Sequence, residues 1–529
     1  CRGRSWESKT NLAWPDTPMK YQKPSELGST EDLVQRFKAA KKLRSSWQSH
    51  LRECYEYSLP QRNTMTQYSR GQKKNTDIYD STAVIGTQQF ASRLQATLIP
   101  PWREWSMLVP GSEIPEEEHE QVQPILDDVT KIIFDHINHS NFATQAHESF
   151  LDLAVSTGVL ALEESEGKSS ALEFHSAPLA EIYPEAGPWG SIETVWREHK
   201  VPARHIDRLW PGAELSESLK KKASDNPDEK VTLIEGTIYL PKRGYWHQCV
   251  LEEASKEYIF GQDYEVSPWI VFREYVVPGE VLGRGRIMQV LPDIKTANKV
   301  VEYVLKNAAL AISGVYTAAD DGVINPYNIR LTPGAIIPVG SNDRANPTLQ
   351  PLGRSGDIQF AALTLEDLRR RINKALFAAP FGEVDSPVRS ATEMAIRNQE
   401  LVQDSGSAFG RMQTEFVEKI IRRAVSILKR AGKIPDIRVD GKEVTIKHTS
   451  PLARAQDQND LVAVNQYLEI VGQLGPQILG LGTKLEDLPA YIGKKIGIDA
   501  DLLRTTVERD ELAQMSVQGG MEEQMQEAA

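Results

Sequence analysis

Arg369, Arg370, Arg371 and Lys374 place four cations within six positions. Such a density could hold phosphate oxygens through charge-assisted hydrogen bonds. The four also lie near the C-terminal end of an apolar-periodic stretch, where cations complement the helix dipole. Phosphate contact, dipole compensation and pairing with acids on neighbouring helices all remain open for them. Arg422, Arg423, Lys429 and Arg430 form a second basic cluster in a similar setting, with the same alternatives. The chain as a whole is acidic, with 73 Asp and Glu against 61 Lys and Arg and a formal charge of -12. A protein that grips phosphates tightly carries a basic surface, so any contact with DNA is expected to be weak, local or mobile. No aromatic residues interleave the cations to stack unpaired bases.

Other constellations carry no reaction. A phosphate-binding P-loop needs G-x-x-x-x-G-K-[ST]; GLGTK at 480–484 and IGKKIG at 492–497 lack its spacing and hydroxyl. GRGR at 283–286 lacks the third glycine of a dinucleotide loop and reads as a structural turn. His136, His139 and His147 with Glu148 could ligate zinc, but the segment is polar and has no H-E-x-x-H, so no metal is expected. There is no G-x-S-x-G and no cysteine paired with a plausible histidine. Cys1, Cys54 and Cys249 are far apart and form no C-x-x-C, so neither a disulfide framework nor a zinc ribbon is expected. The first residues contain no apolar h-region, so no signal peptide is expected. The most apolar run, 300–315, is broken by Glu302, Lys306 and Asn307, which argues against a membrane span. The expectation is a non-enzymatic assembly protein without cofactors.

The elements that position the first cluster are helical. Residues 357–378 predict a helix, 379–390 a loop containing Pro380, Gly382 and Pro387, and 391–432 a long helix. Ser390 with Glu393 suggests a capping box. The apolar row Met394, Leu401, Phe409, Met412, Phe416, Ile420 and Ala424 follows the helical period, and Gly432 and Pro435 end it. Some 40 residues of helix would span roughly 60 Å. Upstream, 29–57 predicts one helix with Leu33, Phe37, Ala40, Leu43, Trp47, Leu51 and Tyr55 on one face. Further helices are predicted over 81–98, 114–140 and 141–157. Short strand-like runs separated by turn residues then make 157–280 mostly β, with a helical insert near 202–225. Helix returns over 284–312, and 313–356 is turn-rich and β-like. A β insertion between two helices of similar length reads as an antiparallel helix pair with a tip. A short β stretch is predicted at 434–450 and helices near 453–475, 485–493 and 499–516.

Several stretches, in order, resemble the portal (head-to-tail connector) proteins of short-tailed bacteriophages: FASRLQATLIPPWREWSML (90–108), SFLDLAVSTGVLALEE (149–164), GEVLGRGRIMQVLPDIKTAN (279–298), VRSATEMAIRNQEL (388–401), SPLARAQ (450–456) and IGIDADLLRT (496–505). The resemblance covers roughly 29–515. It implies a helix-rich α+β subunit assembled as a ring, usually of twelve copies, at one capsid vertex. In those terms 1–28 would be an arm, 29–283 the wing, 284–312 a stem helix and 313–356 the clip. Residues 357–378 would be the second stem helix, 379–390 the tunnel loop, 391–450 the long helix and wing return, 451–516 a helical crown, and 517–529 a disordered tail. It further implies passage of double-stranded DNA, docking of a terminase motor and later of tail or adaptor proteins, and contacts with major capsid and scaffolding proteins. The location would be the virion, after assembly in the host cytoplasm. Arg369, Arg370, Arg371, Lys374, Glu383, Asp385 and Arg389 would then be the candidates to face the channel. A different ring of the tail or baseplate, or a phage hydrolase with an unrecognised site, are the alternatives.

Overall fold

A computed structural model of the chain describes residues 23–62, 77–101, 103–165, 169–313, 316–318, 349–351, 358–377, 409–449, 464–471 and 488–496, with single positions at 65, 74, 167, 473 and 483. The chain divides into two compact units. The first takes residues 1–49, 91–285 and 382–529, and the second takes 50–90 and 286–381.

The first unit is built on antiparallel sheets. Strands β4 (Ile182–Ala186), β5 (Ile192–Pro202), β6 (Lys230–Leu240), β7 (Tyr245–Glu252) and β8 (Tyr258–Tyr264) form a five-stranded meander in chain order. Helix α1 (Thr30–Ser45) covers one face, opening on a capping box in which Ser29 and Asp32 satisfy each other's free backbone N–H. Phe37 of α1 lies edge-on to Tyr183 (5.4 Å) and beside Trp196 (6.0 Å). Leu33, Val34, Ile234, Ile238 and Leu251 complete this core. The helical insert expected near 202–225 is present, and its Ile206, Trp210 and Leu219 bury against Val231, Leu233 and Val250.

The single helix expected over 29–57 is two, α1 and α2 (Gln48–Ser58). The hydroxyls of Ser45 and Ser46 donate back to the carbonyls of Lys42 (2.6 Å) and Leu43 (2.8 Å), a local competition that serines offer to the helical ladder. Leu43, expected on the apolar face, is 69% exposed. The inward row runs Leu33, Phe37, Ala40 and then Arg44, whose guanidinium lies over the Tyr183 ring at 4.8 Å and donates to Ala180 O at 2.6 Å.

A three-stranded sheet orders β3 (Leu172–Ser176), β2 (Thr157–Glu164) and β9 (Trp269–Arg273). Helix α4 (Glu116–Asn138) precedes α5 (Phe142–Val155), which packs on this sheet. Residues 409–430 are helical, as expected for this part of 391–432, but a π-helical turn, Gln413–Val417, interrupts them before the final α-helical segment Glu418–Arg430. Phe416 of that turn meets Phe272 (4.6 Å) and Phe150 (5.2 Å). Glu415 accepts from Arg273 Nη2 (2.6 Å), Nε (3.2 Å) and backbone N (3.0 Å). Strand β1 (Ser106–Pro110) pairs antiparallel with β12 (Val444–His448).

The GRGR stretch closes this unit where helix α8 (Arg286–Ser313) begins. Gly283 N donates to Thr157 Oγ1 (2.9 Å), Arg284 N to Tyr275 O (2.8 Å) and Gly285 N to Val155 O (3.1 Å). A Cβ at Gly285 would lie 2.3 Å from Ala154 O, so the glycine is there for close backbone approach. This is the structural turn expected from the sequence.

In the second unit α8 runs beside α9 (Ile358–Ala375), and a short antiparallel pair, β10 (Tyr316–Ala318) with β11 (Leu349–Pro351), joins the chain between them. The helix pair expected from the sequence is present, and of the expected β tip the described residues include this one strand pair. Arg286 lies over the rings of Phe377 (3.8 Å) and Phe90 (5.8 Å) and donates to Ala375 O (3.1 Å). The start of α8 and the end of α9 therefore meet, which makes the pair antiparallel. The expected tunnel loop, 379–390, the first part of the expected long helix, 391–408, and most of 313–356 lie outside the described residues. So does the helix expected over 499–516, whereas 464–471 and Leu488–Ile496 are helical.

Candidate nucleic-acid interface

Helix α9 carries the first basic cluster on a regular scaffold. Leu368, Ile372 and Leu376 are buried, and the four cations lie between them. Arg371 pairs with Asp367 at 2.7 Å, and Arg370 stands 3.9 Å from Glu366. Both acids sit four residues towards the N-terminus, the spacing that supports a helix by a few tenths of a kcal/mol. Lys374 is exposed on the last turn. Arg369 differs from these three. Its guanidinium reaches Asp80, with Nη2 at 2.7 Å and Nε at 2.8 Å, and Asp80's side chain is only 3% exposed.

Asp80 is the hub of a hydrogen-bonded network in the second unit. Its carboxylate accepts from Thr82 N (2.9 Å), which ties it to the start of α3 (Thr82–Leu98). The side-chain oxygen of Asn298 on α8 accepts from Tyr79 N (2.6 Å) and Asp80 N (3.0 Å), and its amide donates to Asp77 O (2.9 Å). Burial disfavours the charged form of Asp80, but the hydrogen bonds from Thr82 and Arg369 outweigh it and hold the carboxyl below its usual range. Asp80 thus links three helices, α3 and α9 through its carboxylate and α8 through its backbone N–H. Nothing in the basic cluster pointed to it. The signal that could have found it is an aspartate two residues before a helix, in D-S-T-A at 80–83.

A depressed carboxyl contributes stability that is full above its unfolded value, near 3.8, and is lost as pH falls through the lower folded value. Asp80→Asn should cost about 1–3 kcal/mol at neutral pH, the range for a charged hydrogen bond removed from a buried site. Chemical denaturation at pH 7 and at pH 3 measures it, and the deficit should shrink at the lower pH.

Of the alternatives open for the second basic cluster, the structure shows pairing with acids and carbonyls of the chain itself. Arg423 is 1% exposed, donates to Leu162 O (3.2 Å) and Val266 O (3.2 Å), and lies over the Tyr264 ring at 4.7 Å. Arg422 pairs with Glu418 at 2.5 Å, Lys429 with Asp436 and Arg430 with Glu164. Periodicity alone could not separate an inward arginine from an outward one. The histidines weighed as zinc ligands have separate roles. His136 Nδ1 lies 3.4 Å from Ala171 N, His139 Nδ1 2.8 Å from Asp135 O, and His147 Nδ1 3.1 Å from Gln95 Oε1. Among the described residues no group of three His, Cys, Asp or Glu could hold a metal ion. Glu383, Asp385 and Arg389 lie outside the described residues, so of the seven candidates four are placed: three exposed cations, two of them beside acids one turn back, and one fixed to a buried aspartate.

The architecture is therefore a mixed helix and strand protein whose second unit contains a charged antiparallel helix pair, without a recognisable catalytic constellation among the described residues. The chain belongs to the bacteriophage head to tail connecting protein family, whose profile matches residues 30–503. It is similar to a probable portal protein of Bordetella phage BPP-1, at 22% identity over 89% of this chain and 88% of the relative. It is similar to portal proteins of Salmonella phage epsilon15 (20% identity, 84% and 83% covered) and Escherichia phage T7 (22%, 90% and 89%). Among solved structures, a chain of the native gene transfer agent particle virion aligns at a TM-score of 0.35 and 12% identity over 78% of this chain and 89% of its own. That overlap is too loose to speak to the fold. The family expected from the sequence motifs is the family found.

Proposed function

We propose that this chain is the subunit of a phage portal, a ring of twelve copies at one vertex of the capsid. Double-stranded DNA passes through the ring during packaging and again during ejection. The β-containing tip at 313–356 docks the terminase motor and later the tail or adaptor proteins, and the outer parts of 29–283 meet major capsid and scaffolding proteins. The ring assembles in the host cytoplasm, becomes part of the virion and has no enzymatic activity of its own. The observation that carries this reading is the family match over nearly the whole chain, joined by relatives that are themselves portal proteins.

The charge arrangement on α9 supports a conduit over a clamp. Arg370 and Arg371 stand beside acids of their own helix and Arg369 is committed to Asp80. A wall of this kind presents little net positive charge, so DNA can slide along it without the tight, salt-sensitive hold of a basic groove. In this reading Lys374 and the loop residues Glu383, Asp385 and Arg389 border the narrowest part of the channel, and 379–390 acts as its gate.

Two measurements test the proposal. Negative-stain images of the purified chain should show rings with a central hole and light scattering a mass near twelve protomers; a monodisperse monomer with turnover would overturn it. Deleting 381–388 should leave ring assembly intact and reduce the fraction of particles that retain packaged DNA. Normal genome retention in such particles would remove the gate.

A further inference from the structure

Among the described residues two that are not glycine have a positive φ, Lys256 at 57° and Phe377 at 51°. Lys256 sits in the turn between β7 and β8, where a left-handed residue closes a hairpin. Phe377 is a different case. It follows α9, at the position where glycine is the usual helix stop because it has no Cβ to clash. A bulky side chain there is strained, and such strain persists only where the surroundings over-determine it. Here they do. The Arg286 guanidinium lies 3.8 Å from the centre of the Phe377 ring, and the Phe90 ring stacks on it at 6.4 Å and 13°. Phe90 and Arg286 are both buried, so the second unit's own core holds the ring in place.

This stop competes with a longer helix for the same acceptors. Leu376 N donates to Ile372 O (3.0 Å) and continues the helical ladder, but Phe377 N turns to Lys374 O (3.2 Å) and Arg286 Nη1 takes Ala375 O (3.1 Å). In a longer helix Lys374 O would accept from Ala378 N, and Ala375 O from Ala379 N. The sequence favours that helix up to a fixed point. Alanine, at 378 and 379, is the best helix former, and Pro380 keeps the residue before it out of the helical region. We infer that Phe377, held by Arg286 and Phe90, is a strained latch that ends α9 early, and that its release lets the helix run on to Ala378. The point where the chain leaves α9 would then move about 3 Å along the axis and about 200° around it. Segment 379–390 would have two discrete starting directions, set by a packed element with two arrangements. Only that consequence rests on the gate reading above; the latch stands on Phe90, Arg286 and Phe377.

Hydrogen exchange of the full-length chain, read at residue resolution over 372–379 and corrected for intrinsic rates, tests the latch. Phe377→Ala removes the ring, keeps the strained Cβ and supplies a strong helix former. Arg286→Met removes the cation and releases Ala375 O. In both variants the amides of Ala378 and Ala379 should exchange about tenfold more slowly than in the wild type, as the helix takes them in. Phe377→Gly also removes the ring, but glycine adopts the left-handed turn without strain and is a poor helix residue. Its amides at 378 and 379 should not slow. A ring that only filled space would give the same change in the alanine and glycine variants, and that result overturns the latch. Wild-type or faster exchange at 378 and 379 in both Phe377→Ala and Arg286→Met overturns it as well. Genome retention in particles carrying Phe377→Ala reads the consequence separately. Slowed exchange with fewer filled particles supports the latch and its tie to the gate. Slowed exchange with normal retention supports the latch and removes that tie.

Discussion

Replacing Glu415 by alanine should destabilise the first unit by about 3–5 kcal/mol, the range for breaking a buried ion pair and leaving one charge behind. The charge left behind is Arg273, whose side chain is 4% exposed. Glu415 accepts from its Nη2, its Nε and its backbone N, while the other guanidinium contacts go to Val281 O (3.0 Å) and Gly190 O (3.2 Å). Those carbonyls cannot neutralise the cation. Glu415→Gln keeps the shape and loses the charge, so its loss should be smaller. Arg273→Met combined with Glu415→Leu should recover much of the stability, because it removes the desolvated charges together. Denaturant unfolding of the three variants separates these outcomes; equal losses in all three would show that shape, and not charge, holds the site. The π turn gives the pair its reach. It places Glu415 against Arg273 and Phe416 against Phe272, so that neighbouring residues on the helix meet neighbouring residues of one strand. Single π turns inside α-helices often mark positions under functional constraint.

The second large effect is expected at Gly285. A methyl group there would stand 2.3 Å from both Ala154 O and Val155 C, and 2.4 Å from Val155 O. All three are backbone atoms, so no rotamer change relieves the clash. Gly285→Ala should therefore cost about 3 kcal/mol, at the upper end for overpacking, and break the hydrogen bond from Gly285 N to Val155 O. Gly410→Ala is the matched control. Gly410 lies in a helical stretch with open space where its Cβ would be, and the change should raise stability by about 0.5–1 kcal/mol. Thermal melts of the two variants should shift in opposite directions. A neutral Gly285→Ala would mean that the α5-to-β2 corner yields easily.

The parts of the fold that could be read from the sequence are those set by local physics. The Ser29–Asp32 capping box, the change to short strands at Thr157, the helical insert near 202–225 and the individual helices α8 and α9 each depend on residues close in the chain. The candidate site was legible only as composition. Arg369 and Arg370 are neighbours with the same side chain, yet one is bound to a buried aspartate 289 positions away and the other lies open beside Glu366. Arg423 follows the same logic in the first unit, with carbonyl partners 261 and 157 positions distant. Hydrophobic periodicity assigns a long cationic side chain to the solvent by default, because its stem and its charge have opposite preferences. The break at Ser46 was missed for a related reason. The apolar spacing continued across it, while the serine hydroxyls and Arg44 decided the geometry.

The β1–β12 pair sets an order on synthesis. Ser106 aligns with His448, so the strand leaves the ribosome 342 residues ahead of its partner. At about 5–20 residues per second that is a wait on the order of 20–70 s. During that time Ser106–Pro110 has no strand to pair with among the described residues, and an unpaired edge is a template for pairing between chains. The nascent first unit therefore completes this sheet only after the whole of 286–381 has been made.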